Sequence, residues 1–266
     1  MRVAIRLGVN GAAGRMGQRL VALASADGDF KLAAALESPS HPKQGADAGT
    51  IAGVPALGLN LSSTITVPLD VVIDFSVPAG TNAILAACVE RRIPLVLATT
   101  GLDAAQQDAV RRAAQQIPIL WAPNMSLAVN LVMKLAETAG RALKDHPGGA
   151  DVEIIERHHR FKEDAPSGTA LKFGEIIASA MGQSEHRHGR SGRPGPRPHQ
   201  EIAYHALRTG DNPGEHTIVF GLLGETIELV VRATNRDCYA HGALAAAKFL
   251  ARQKPGLYSM NDVLGL

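Results

Sequence analysis

Strong charge, aromatic residues and paired cysteines are all scarce in this chain. Its 27 Lys and Arg nearly balance 25 Asp and Glu, for a formal net charge of +2. So even a balance argues against nucleic acid or an anionic membrane surface as partner. Cys88 and Cys238 stand far apart and form no CxxC pair, so neither a disulfide framework nor a zinc site is indicated. No apolar run approaches the roughly 20 residues that span a bilayer. The first residues enter a strand pattern directly, without the features of a secretion signal. The expected setting is a reducing cytoplasm. Aromatics make up 4% of the residues, whereas Ala and Gly are plentiful, which suits an α/β protein with close helix–sheet packing. With 266 residues, 45% of them hydrophobic, the chain can build one large or two modest cores.

What is present begins with Val3 to Val9, a mostly apolar run with β-branched residues. Asn10-Gly11-Ala12-Ala13-Gly14-Arg15-Met16-Gly17 interrupts it, and Gln18 to Ala26 has a helical pattern. A buried strand, a glycine-rich turn and a helix open a dinucleotide-binding βαβ unit. Gly11 allows the tight turn, Gly14 lets backbone approach a pyrophosphate, and Gly17 lets helix and strand pack closely. The spacing is GxxGxxG rather than the commoner GxGxxG. Phe30 to Leu36 reads as the second strand, and Glu37 follows it, 20 residues beyond Gly17. That is where an acidic residue grips the adenosine ribose; the competing reading is an ordinary surface charge.

Residues 38–60 read as loop with short strand pieces. Two further strand–helix units follow, Leu69 to Ser76 with Pro78 to Glu90, and Leu95 to Ala98 with Asp103 to Gln116. A fifth strand, Pro118 to Trp121, ends in Ala122-Pro123-Asn124-Met125-Ser126. Beyond a long helix at Leu127 to Leu143, the pattern changes. Ile202 to Leu207, Thr217 to Phe220 and Thr226 to Val231 read as strands, the last two a hairpin through Gly224-Glu225. Strand runs after a βαβ half indicate a second, mixed or antiparallel domain. Residues 239–252 form an Ala-rich helix, and residues 182–200, rich in Gly, Arg, His and Pro, read as a mobile loop. His186, His188 and His199 there lack carboxylate or Cys partners, so no metal is expected. The arginines of that loop either hold an anionic substrate or are merely solvated.

Chemistry concentrates in one segment. Six titratable side chains crowd between Glu156 and Lys162, in Glu156-Arg157-His158-His159-Arg160-Phe161-Lys162, and Asp164-Ala165-Pro166-Ser167-Gly168-Thr169-Ala170 follows. Val152, Ile154 and Ile155 read as the strand leading in, Ala170 to Met181 as the helix leading out. A helix N-terminus with free N–H groups suits an anion such as a carboxylate. Histidine exchanges a proton near neutral pH, and Lys162 adds a donor and a positive charge. Turn and cap chemistry alone would account for Ser167.

These segments resemble the dihydrodipicolinate reductase (4-hydroxy-tetrahydrodipicolinate reductase) family nearly end to end. The most specific match is Glu156 to Lys162 with Asp164 to Ala170. Gly11 to Gly17, Asp74-Phe75-Ser76, Thr99-Thr100-Gly101, Asn124-Met125-Ser126 and Gly214-Glu215-His216-Thr217 fall at matching places. The resemblance implies a Rossmann-type parallel sheet plus a second α+β domain with a mixed sheet. It divides the chain into a dinucleotide-binding domain, residues 1–126 with 236–266, and a substrate-binding and oligomerisation domain, residues 127–235. It implies NADH or NADPH as cofactor, a small heterocyclic dicarboxylate as substrate, lysine and diaminopimelate synthesis as setting, and a homotetramer. By position, His158 is the general acid/base and Lys162 the proton donor, with His159, Ser167, Gly168 and Thr169 holding the substrate. Gly11, Ala12, Ala13, Gly14, Arg15, Met16, Glu37, Ala98, Thr99, Thr100, Ala122, Pro123, Asn124 and Met125 would contact the cofactor. Family members that use NADPH well often carry Arg after the acidic residue, where this chain has Ser38. Val77 stands where some have Arg, and Met125 where many have Phe. NADH is therefore expected to serve at least as well as NADPH, unless Arg15 or Lys43 offsets the charge of Glu37 on a 2′-phosphate. Two rivals share the glycine loop. One is another reductase of this architecture, such as an amino acid or semialdehyde dehydrogenase; semialdehyde chemistry would need a nucleophilic Cys, and Cys88 and Cys238 sit in predicted helices or at their starts. The other, a dinucleotide sensor, would need neither His158 nor Lys162.

Overall fold

The computed structural model describes residues 3–266; residues 1 and 2, counted above in the first domain, lie outside it. In chain order the first half holds β1 (Ile5–Asn10), α1 (Arg15–Ala26), β2 (Phe30–Leu36), α2 (Ala48–Ile51) and β3 (Leu61–Ser62). Next come β4 (Val71–Asp74), α3 (Pro78–Arg91), β5 (Leu95–Leu97), α4 (Ala104–Ala113) and β6 (Pro118–Trp121). The middle holds α5 (Leu127–Leu143), β7 (Asp151–His158), α6 (Gly168–Met181), β8 (Glu185–His188), β9 (Glu201–Arg208), β10 (Glu215–Leu222) and β11 (Glu225–Arg232). The chain closes with α7 (Asp237–Leu250), β12 (Gly256–Tyr258) and α8 (Met260–Leu264). Two compact units result, Met1–Leu127 with Arg236–Leu266, and Ala128–Asn235.

In the first unit seven parallel strands lie in the order β12-β6-β5-β4-β1-β2-β3. This is the doubly wound Rossmann order, reversing direction between β1 and β4. Strands β4 and β5 are buried throughout, as a sheet covered on both faces requires. On one face Leu7, Val9 and Ile73 meet Leu20 and Val21 of α1 and Leu244 of α7. On the other, Val72, Leu95 and Ile119 meet Ile84 and Cys88 of α3 and Val110 of α4. A capping box between Asp103 and Gln106 starts α4, and Pro78 occupies the first turn of α3. Both are helix-start devices that leave few backbone donors unpaired.

The second unit holds a mixed sheet, β11-β10-β7-β9-β8, antiparallel from β11 to β7 and parallel from β7 to β8. Val129 and Ala136 of α5 and Phe173 and Ile177 of α6 pack on Val152, Ile154, Tyr204, Ile218 and Phe220. The outward positions of the same strands leave Ile155, Leu207 and Val230 exposed.

Several expectations need correction. The strand leading to the Glu156–Lys162 segment extends to His158, because Arg157 and His158 still pair with Leu207 and Arg208 of β9. Residues 182–200 are not all loop. Strand β8 pairs in parallel with β9, and His186 and His188 stack on Tyr204, a polar edge strand with no apolar alternation to betray it. Two of the arginines there are not merely solvated, for Arg190 and Arg197 are bound to Glu153 of β7. Residues 38–60 contain the helix α2, capped by Asp47, and an isolated bridge rather than strand pieces. The hairpin turns at Leu223-Gly224, one residue earlier than expected. The three-residue strand β12, half exposed, had no pattern to find.

Candidate active site

At the carboxyl edge of the first sheet, β1 runs into a turn built around Gly11, whose φ is +77°. A Cβ on Gly11 would meet the Phe75 carbonyl oxygen at 2.7 Å, and one on Gly17 would sit 2.0 Å from the Gly11 carbonyl oxygen. Both positions accept only glycine, which lets the turn lie against β4 and α1 against the turn. Helix α1 begins after Gly14 with no side-chain cap and no acidic residue in its first turn. Its leading N–H groups are thus left for an anionic ligand. Glu37, past the end of β2, accepts the Ala13 N–H at 3.1 Å through one oxygen and the Ser38 N–H at 2.9 Å through the other. It walls a groove of about 460 Å³ shared with Asn10, Ser76, Val77, Gly80 and Arg91.

Asp74, the last residue of β4 and wholly buried, ties this edge together. It accepts hydrogen bonds from Asn10 Nδ2 at 2.8 Å, the Ser76 N–H at 3.1 Å, the Thr81 hydroxyl at 2.6 Å and the Thr99 hydroxyl at 3.0 Å. The side chain of Thr99 is therefore occupied within the protein, while Thr100 is exposed. Residues 98–100 and 122–125 follow β5 and β6 on the same edge as the glycine turn. Ala98, Thr99, Ala122 and Met125 of this set are buried, and Met125, 1% exposed, lies in the core beneath α7.

In the second unit, the alternation of β7 points Val152, Ile154, Glu156 and His158 inward. The last two carry the site. Glu156 is 0% exposed. Arg208 of β9 donates to both its oxygens at 2.8 Å, and the Ser167 N–H donates at 3.1 Å. His158 Nδ1 stands 2.5 Å from Glu156 Oε2. Burial opposes ionisation of Glu156, but Arg208 and His158 outweigh it and hold the carboxyl below the usual range. Burial pushes the His158 imidazole down, against the pull of Glu156. Burial also pushes His216 of β10 down to about 4, so it is neutral at pH 7. His216 Nε2 lies 3.1 Å from Ser167 Oγ, which accepts the Ala170 N–H at 3.2 Å as the cap of α6.

Beyond His158, Lys162 Nζ donates to both Asp164 oxygens, at 2.7 and 2.9 Å. His159 Nδ1 is enclosed without a hydrogen-bond partner. Gly168 and Thr169 form the first turn of α6, and a Cβ on Gly168 would meet nothing within 4 Å. The structure thus gathers His158, Lys162, His159, Ser167, Gly168 and Thr169 around one strand-to-helix connection. It adds Glu156, Arg208, His216 and Gly214, which sequence reasoning did not place in the site. Arg208 becomes visible only through the parallel register that sets it opposite His158. His216 had a signal in its Gly-Glu-His-Thr segment.

A doubly wound parallel sheet, an uncapped helix behind a glycine turn and a carboxylate after β2 define a dinucleotide-dependent oxidoreductase. Residues 5–125 match the family described as dihydrodipicolinate reductase, N-terminus, and residues 128–264 its C-terminus. The chain is 58% identical over 270 residues to the 4-hydroxy-tetrahydrodipicolinate reductase of Rhodopirellula baltica, covering 98% of this chain and 96% of that one. It is 47% identical over 268 residues to that of Alkalilimnicola ehrlichii, covering 98% and 99%. Its fold is shared with a dipicolinate-bound dihydrodipicolinate reductase from Paenisporosarcina, with a TM-score of 0.79 at 24% identity over 97% of this chain and 98% of the other. The chain belongs to the dihydrodipicolinate reductase family.

Proposed function

We propose that the chain reduces 4-hydroxy-tetrahydrodipicolinate to tetrahydrodipicolinate with a nicotinamide dinucleotide, in the synthesis of lysine and diaminopimelate. The observation that carries this reading is the carboxylate–histidine pair at the end of β7, beside an anion-binding turn, in a chain related end to end to such reductases. The residues of the first unit fit the cofactor. The turn of residues 11–16 would hold its pyrophosphate through the N–H groups that open α1, those of residues 11–14 being bonded within the protein; Glu37 would meet its adenosine ribose, and residues 98–100 and 122–125 its nicotinamide half. Loss of the 4-hydroxyl as water leaves the ring unsaturated, and the cofactor, when bound, would supply a hydride to it. His158 or Lys162 supplies the proton that must reach the neighbouring ring carbon, and Lys162 leaves Asp164 to do so or to meet a substrate carboxylate. His159, the Ser167 cap, Gly168 and Thr169 hold the dicarboxylate.

Three finer readings accompany this one. NADH serves at least as well as NADPH, because Glu37 repels a 2′-phosphate and the basic side chain in the groove wall is Arg91, while Arg15 and Lys43 are not part of it. Binding of NADPH well over tenfold tighter than NADH would contradict that. The chain works in the cytoplasm, where its substrate is made; a fluorescent fusion found outside that compartment would overturn this. It assembles as a homotetramer through the outward sheet face bearing Ile155 and Val230, and sedimentation at the monomer mass at micromolar concentration would refute this.

The direct test generates the substrate in the cuvette from pyruvate and aspartate semialdehyde with the preceding synthase. The reading predicts oxidation of reduced nicotinamide that depends on that synthase. Cofactor binding with no oxidation would move the chain to a sensor or to a different dehydrogenase.

A further inference from the structure

Resting on the reductase reading, we propose that Glu156, pinned by Arg208, is a positioning residue for the reaction. It fixes His158 with Nδ1 inward and Nε2 on the side that Gly214 leaves unfilled, and through the Ser167 amide it ties that imidazole to the turn that starts α6.

The placement of Glu156 argues for such a role. The two inward positions before it on β7 hold Val152 and Ile154, and both are fully buried. A carboxylate in that row must be desolvated, which is tolerated only where it is fully bonded. Four hydrogen bonds reach it, two from Arg208, one from the Ser167 N–H and one from His158. An ionised carboxylate only accepts, so the proton between Nδ1 and Oε2 belongs to Nδ1. Neutral His158 then presents Nε2 as an acceptor, and protonated His158 presents it as a donor. Gly214 completes the arrangement. Its φ is +148°, and a Cβ there would sit 2.9 Å from Nε2.

The charges around the imidazole make the effect directional. Lys162 in the following turn and Arg208 on β9 disfavour the cation, the neutral ring of His216 on β10 packs edge-on against the His158 ring at 5.3 Å, and Asp164 is engaged with Lys162. Glu156, on the same strand as His158, favours it. Arg208 also donates to the Asp164 carbonyl oxygen, so one guanidinium braces both the carboxylate and the catalytic turn.

The test compares Glu156→Gln with the unaltered full chain in steady-state kinetics across pH, alongside NMR of the histidine ring nitrogens. Expected for Glu156→Gln are a fall in kcat of about a hundredfold, KM for cofactor and substrate within about threefold, and a His158-dependent limb moved to lower pH. A variant that loses stability while keeping kcat and the position of that limb would overturn the proposal, since Glu156 would then be structural only. Should Glu156→Gln fail to fold, the unaltered chain still decides: neutral His158 must carry its proton on Nδ1, and finding it on Nε2 overturns the proposal. Absence of any turnover in the unaltered chain would instead strike the reductase reading, with the tautomer still readable.

Discussion

Two carboxylates, Asp74 in the first unit and Glu156 in the second, are both fully buried, yet they are satisfied in opposite ways. Asp74 draws on an amide, a backbone N–H and two hydroxyls, all neutral. Glu156 draws on a guanidinium, an imidazole and one N–H. The first arrangement fixes backbone, joining the ends of β1 and β4 to α3 and the turn after β5, and nothing around it changes charge near neutral pH. The second faces a group that exchanges a proton. A buried carboxylate with neutral partners builds a binding edge; one that shares its partners with a histidine can serve chemistry.

The comparison breaks most sharply in turnover. Lys162→Ala and His158→Gln are expected to lower kcat by roughly 10²–10⁴-fold, with the dissociation constant for NADH within about threefold. Equal loss of cofactor affinity in either variant would erase the division of labour between the units. Next in size is stability. Arg208→Ala leaves Glu156 buried and uncompensated, at a cost of about 3–5 kcal/mol, readable from the urea midpoint. Asp74→Ala strands donors rather than a charge, so a smaller loss of about 1–3 kcal/mol is expected. It should also weaken NADH binding while leaving the pH dependence of kcat unmoved.

Acid sharpens the contrast further. Burial holds native His216 near 4 and lowers native His158, whereas unfolded histidine takes up its proton near pH 6.5. Protons therefore bind the unfolded chain first, and stability falls as pH drops from about 6.5 towards 4. Glu153 adds a second loss. Burial opposes its charge, but Arg190, His205 and Arg197 bring it down to about 2. The stability it confers is complete above about pH 4.3 in the unfolded reference and is lost as pH falls through its native value. Melting curves from about pH 8 to about pH 3, spanning the histidine and carboxylate ranges, should show His216→Asn blunting the upper part of this decline. The smallest effect concerns Glu37. Glu37→Ser is expected to cost NADH binding a few-fold and to gain NADPH binding by a similar factor, as measured by fluorescence titration.

Most of the first unit was legible because its signals are local. Phe30–Leu36 and Pro118–Trp121 are apolar runs of strand length, and α1 keeps a helical period. Gly11 and Gly17 announced their turn because only glycine fits there. The polar strand β8 was hidden, since its pairing is with β9 and its side chains stack on Tyr204 rather than alternate with the core. The roles of Arg190 and Arg197 were hidden for a related reason: their partners, Glu153 and Glu201, lie on other strands. In the site, His158 and Lys162 stood out by residue type and crowding. Arg208 lies 52 residues from Glu156 along the chain, and only the register of β7 with β9 joins them.

The most direct test of the account is to measure NADH binding and synthase-dependent NADH oxidation on the same preparations of the unaltered chain, Lys162→Ala and His158→Gln. The account predicts binding in all three and rapid oxidation in the unaltered chain alone. Undiminished oxidation in both variants, or none in any despite binding, would contradict it.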